Sequence, residues 1–137
     1  MLFKKITLCA AFLLTSSLAF AELTVIVNPS NTNDLDAKKV QRLFLGKDKK
    51  FPDGSEVLAV NLTADSSTRN NFDEKILGRN SSQVSAYWSK LVFTGKGIPP
   101  KEVSSDAEVI DLVSKNPSVI GYVDSSSLID GVKVIKL

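Results

Sequence analysis

Histidine is absent from this 137-residue sequence, and cysteine occurs once, at position 9. Those two gaps remove much of enzyme chemistry. Without histidine, Ser-His-Asp triads and Cys-His pairs cannot be assembled, and the usual zinc ligand sets are incomplete. The single thiol lies inside an apolar stretch, Ile6 to Leu18, that follows Lys4 and Lys5 and ends at Ala19-Phe20-Ala21. A short positive segment, an apolar core and small residues at its end read as a cleavable secretory signal peptide over residues 1–21. The apolar run is shorter than the roughly 20 residues that span a bilayer. Cys9 is also placed too early to be the acylated cysteine of a lipoprotein, so cleavage leaves a chain without thiol, disulfide or lipid anchor.

An excess of either charge is lacking as well. Removing Lys4 and Lys5 leaves 15 basic residues against 15 acidic ones. A neutral chain is a poor partner for nucleic acid or for an anionic membrane surface, and neither is expected. Residues 22–137 number 116, enough for one domain and too few for two of ordinary size. No later run is apolar for long enough to span a bilayer, so no membrane insertion is expected. Carboxylate neighbours such as Asp34 with Asp36, or Asp73 with Glu74, are read as solvated surface groups, because Asp and Glu are seldom buried. No enzyme, cofactor or metal site is expected from this composition.

What is present alternates between strand and helix signals. Leu23 to Val27 is a continuous apolar, β-branched run closed by Asn28-Pro29, as in a strand buried on both faces. Ala37, Val40, Leu43 and Phe44 then recur at helical spacing, with Gly46 as a C-terminal stop. Phe51-Pro52-Asp53-Gly54 is a turn leading into a second apolar run, Val57 to Val60. Ser66 or Ser67 can cap a helix bearing Phe72, Ile76 and Leu77, ended by Gly78, and Ser81 or Ser82 can cap the next. That helix carries Val84, Tyr87, Trp88, Leu91 and Val92 on a core stripe and stops at Thr94-Gly95-Lys96-Gly97. Gly95 and Gly97 lack the third glycine and the following Ser or Thr of a phosphate loop. Ser105 and Glu108 form a capping-box pattern before Val109, Ile110, Leu112 and Val113, and Asn116-Pro117 ends that helix. Val119 to Val123 and Val132 to Ile135 read as the last strands. The alternation predicts the α/β class, with a mainly parallel sheet covered by helices on both faces.

One segment has the makings of a site. Asp65-Ser66-Ser67-Thr68-Arg69 lies between a buried strand and a helix start. The first N–H groups of a helix lack partners and sit at the positive end of its dipole, which suits an oxyanion. Ser66, Ser67 and Thr68 add hydroxyl donors, and Arg69 adds a planar, permanently charged fork. The same residues also serve as ordinary helix caps.

The motifs from first strand to last resemble one lobe of the phosphate-binding proteins of ABC transporters, type 2 periplasmic binding proteins. Val25-Ile26-Val27-Asn28 resembles the strand by which that family crosses into its second lobe. Phe44-Leu45-Gly46-Lys47 is similar to a helix-ending string of the family, and Phe51-Pro52-Asp53-Gly54 to its aromatic turn. Ser66-Ser67-Thr68 falls on the family's Ser-Gly-Thr phosphate motif, with Phe72 at the usual spacing behind it. Asn116-Pro117 with Ile120-Gly121-Tyr122-Val123 resembles the Asn-Pro-Gly-Ala-Ile-Gly-Tyr-Val segment. Two positions depart: Leu62 stands where the family usually has an arginine, and Ser67 where it has the central glycine. The resemblance implies a three-layer α/β/α lobe working in a bacterial periplasm and linked to phosphate transport. It further implies phosphate or a similar oxyanion at Ser66, Ser67 and Thr68; Arg69 is expected to replace the lost arginine's charge, an inference from its place in the helix and not from the resemblance. Half of a two-lobed ligand shell would then come from elsewhere: a second lobe, a second copy, or a membrane transporter or sensor. The competing expectation is a periplasmic adaptor whose anion site has decayed and whose surface docks on such a membrane protein. An exposed apolar patch near Tyr87 and Trp88 would favour it.

Overall fold

The computed structural model describes residues 22–137, so the expected signal peptide lies outside the described residues. The chain runs β1 (Leu23–Val27), α1 (Ala37–Phe44), β2 (Leu58–Leu62), α2 (Ser67–Phe72) with a following π-helical turn (Asp73–Leu77), and α3 (Ser81–Phe93). It continues through β3 (Lys101–Val103), α4 (Asp106–Lys115), β4 (Val119–Asp124), a short 3-10 turn and β5 (Lys133–Ile135). Local chemistry accounts for most boundaries. The Asp36 carboxylate accepts from the Lys39 N–H at 2.7 Å and starts α1. Gly46 stops it at φ +68°, and a Cβ there would lie 2.9 Å from the Trp88 ring, so glycine serves both the turn and the packing. The cap of α3 is Asn80, not Ser81 or Ser82 as expected: its side chain accepts from the Gln83 N–H while the Gln83 side chain accepts from the Asn80 N–H. At α4 the Ser105 hydroxyl accepts from the Glu108 N–H, but the Glu108 carboxylate takes the Ser104 hydroxyl at 2.8 Å.

The five strands form one sheet in the order β3-β2-β4-β1-β5. The fold is α/β as expected, but the sheet is mixed, so the expectation of a mainly parallel sheet holds only in part. β2 runs parallel to β3 and β4, whereas β1 runs antiparallel to both β4 and β5. The apolar run of β1 reports burial on two faces, and a central antiparallel strand buried by its neighbours and two helical layers reads the same way. β3 is an edge strand without apolar periodicity, and the sequence gives no strand signal for it.

Helices cover both faces. Successive residues of a strand point to opposite sides. Along β4, Gly121 faces α4, since a Cβ on it would fall 2.6 Å from the Val109 side chain. Its neighbour Tyr122 faces the other layer, where it packs on Phe44 of α1 and Phe72 of α2. Gly121→Ala is therefore expected to lose about 1–3 kcal/mol through overpacking. A urea midpoint equal to that of the unmodified protein would mean that α4 can retreat from the sheet without cost. Among the described residues no helix is long and apolar enough to cross a membrane.

Candidate functional site

The segment singled out in the sequence lies at the C-terminal end of β2, where the chain turns into α2. Three short bonds shape the turn. The Thr63 N–H donates to the Val103 carbonyl, the Ser66 N–H to the Thr63 carbonyl, and the Thr63 hydroxyl to the Asp65 carboxylate at 2.5 Å. Ser66 then caps α2, its hydroxyl accepting from the Arg69 N–H at 3.2 Å. Ser67 and Thr68 occupy the first two helical positions, so their N–H groups have no intrahelical acceptor. Their hydroxyls also make no side-chain bond among the described residues. Ser67 is exposed and Thr68 half-buried, and together they carry four such donors on adjacent residues.

Arg69 is placed differently from its three neighbours. It is only 4% exposed, and its guanidinium turns inward. Nε donates to Asp73 at 3.0 Å, one terminal nitrogen donates to the Leu62 carbonyl at 2.7 Å, and the same nitrogen reaches Glu102 at 3.2 Å. Asp73 is 0% exposed and also accepts from the Ser81 hydroxyl at 2.9 Å. Burial pushes its carboxyl above the usual range, against the pull of Arg69 and Ser81. The fork expected to meet a ligand is thus occupied by two carboxylates and a main-chain carbonyl. Its charge is balanced within the fold, and the turn presents hydrogen-bond donors without a free cation.

A second buried network supports the first. The Tyr122 hydroxyl donates to the Asn61 side chain and accepts from the Leu62 N–H at 3.2 Å. Burial pushes the Tyr122 phenol well above its ordinary range, so it remains a neutral donor. Both networks converge on Leu62, the last residue of β2, and fix where the turn begins. Neither Tyr122 nor Glu102 had been marked as a site residue. Asp73, read in the sequence as a solvated surface carboxylate, is instead fully buried, because it stands four residues after Arg69 on the helix and pairs with its guanidinium at 3.0 Å.

The fold resembles about half of several solved proteins. A protein of Clostridium perfringens, assigned as a phosphate ABC transporter substrate-binding protein and solved with phosphate bound, matches with a TM-score of 0.66 at 20% identity, over 83% of this chain and 44% of that one. An ABC-type phosphate transport receptor from Vibrio cholerae matches with a TM-score of 0.64 at 19% identity, over 83% and 45%. PstS from Borrelia burgdorferi matches with a TM-score of 0.61 at 15% identity, over 82% and 46%. The chain therefore spans less than half the length of these receptors. No family model and no curated protein matches the sequence.

Proposed function

We propose that this chain is an exported module of phosphate transport that holds phosphate, or a similar oxyanion, at the start of α2. The observation that carries the reading is the cluster of unspent donors there: the N–H and hydroxyl groups of Ser67 and Thr68, beside the capping hydroxyl of Ser66. Arg69 contributes from beneath, by tying the end of β2 to α2, and does not touch the ligand. Binding of this kind is weak on its own. One wall leaves the anion partly hydrated, and donors without an uncompensated cation gain little over water. A Kd on the order of 1 mM, about −4 kcal/mol, is expected. A tighter complex needs a second wall, from a second lobe, a second copy, or a membrane transporter or sensor.

The test exploits proline. Ser66 sits at φ −75° and ψ 130°, a conformation compatible with a following proline, and Ser67 is the first helical residue. Ser67→Pro thus removes one N–H and one hydroxyl from the site while leaving the helix start intact. In a phosphate titration followed by amide resonances, Ser67 and Thr68 should move in the parent protein. The affinity should fall by about tenfold in the variant, the loss of one to two charge-assisted bonds. Unmoved Ser67 and Thr68 resonances at tens of millimolar phosphate, or equal binding by Ser67→Pro, would remove the basis of the proposal.

A further inference from the structure

An open groove of about 1090 Å³ runs between the end of α1 and the loop after it, α3 with the loop that follows, and the start of β2. Its walls are apolar: Leu58, Trp88, Leu91, Val92 and Ile98 line it, and Ile98 is 89% exposed. Phe93, next to Val92, is 93% exposed. The rings named in the sequence as the patch to watch are largely packed away. The Tyr87 hydroxyl donates to the Leu45 carbonyl at 2.6 Å, and Trp88 is nine-tenths buried. The exposed apolar surface lies a turn further along the helix and in the loop that follows.

Two features make this groove more than a bare apolar surface. The indole N–H of Trp88 is buried and has no acceptor among the described residues. A buried donor left unmade costs about 1–3 kcal/mol, and a carbonyl brought into the groove can recover part of it as the walls adjust. The lining is also charged in one sense. Lys49, Lys96 and Lys101 line it and take part in no ion pair among the described residues, whereas the one lining carboxylate, Asp48, is neutralised by Arg42 at 2.9 Å.

We infer that this groove docks a polypeptide segment of another protein, one with an apolar centre and acidic flanks. Charge selects against a second copy, because two copies meeting through this face about a two-fold axis would oppose the same lysines. Shape and main-chain chemistry select a peptide over a membrane. The surface is a concave trough, and it ends at Lys101, where β3 has β2 on one side and an unpaired sheet edge on the other. Such an edge offers N–H and C=O groups that a peptide backbone can meet and lipid chains cannot. The inference stands independently of anion binding at Ser67.

Trp88 is the single tryptophan of the sequence, so its emission reports occupancy directly. Short displayed peptides are selected on the purified protein, with Ile98→Asp and the double variant Lys96→Glu/Lys101→Glu as competitors. All three substituted residues are exposed, so circular dichroism and melting should match the parent. The expected result is enrichment of peptides with Leu, Ile or Phe between Asp or Glu. These should shift Trp88 emission and bind both variants more weakly by about tenfold or more. Selected peptides without acidic bias, or with equal affinity for either variant, overturn the inference. So does failure to enrich anything above the Ile98→Asp background. Emission that responds to phosphatidylglycerol vesicles and to no selected peptide would assign the face to membrane. Self-association abolished by Ile98→Asp would assign it to a second copy.

Discussion

Arg69→Met is expected to lower the stability of this protein by about 3–5 kcal/mol, the cost of removing one partner from a buried ion pair. Against the roughly 5–15 kcal/mol that holds a domain of this size together, that is a large share. The mechanism is specific. Asp73 has no exposed surface and would keep a carboxylate with only the Ser81 hydroxyl to offset its burial, while the Leu62 carbonyl would lose a 2.7 Å donor. The mixed loss should appear as a lowered urea midpoint and melting temperature. A double variant, Arg69→Met with Asp73→Leu, separates a structural ion pair from an anion-binding arginine. Removing both charges should restore most of the stability, since well-packed apolar replacements of a buried pair are often neutral or better. An Arg69→Met protein as stable as its parent would show that the pair is not closed in solution and that the guanidinium is free to face a ligand.

Phe72→Ala should cost a similar amount, about 3–5 kcal/mol, through the cavity it leaves. Phe72 is fully buried between two rings: it stacks on Tyr122 at 3.9 Å with the planes 4° apart, and meets Phe44 edge-on at 4.6 Å. These contacts clamp α2 and α1 onto the sheet face opposite α4. Because α2 begins with Ser67 and Thr68, the clamp also sets the attitude of the candidate anion turn. Phe72→Leu, which keeps much of the volume, should cost clearly less while broadening the Ser67 and Thr68 amide resonances. Sharp resonances in Phe72→Leu would mean that the β2 end alone, through Leu62, positions the turn.

The helical parts of this fold were legible because their signals are local. Asp36, Ser66 and Ser105 cap the helices expected to follow them, and Gly46, Gly78 and Gly95 adopt positive φ where helices were expected to stop. Strand direction was not legible. Val25, Ile26 and Val27 are apolar whether their neighbours run with them or against them, and only the pairing with β4 and β5 decides it. Lys101-Glu102-Val103 gave no periodicity at all, since an edge strand of three residues with two exposed has no pattern to show. At the site, Ser66, Ser67 and Thr68 were legible as a cluster because they are consecutive. The inward commitment of Arg69 was not read from the sequence, where Asp73 counts as a solvated surface carboxylate. Asp73 stands at i+4, but Glu102 and the Leu62 carbonyl come from β3 and β2, and no local spacing foretells that meeting.

The position of β1 has a consequence for how the chain folds. In the finished sheet Val25 is paired with Tyr122 on one side and Ile135 on the other, about a hundred residues downstream on both. The strand made first therefore waits for the strands made last. Until β4 and β5 exist, its main-chain groups have no sheet partner, and contacts between such distant residues form slowly because a long loop must close first. A chain built this way completes its sheet only in a late step, when β1 closes against β4 and β5.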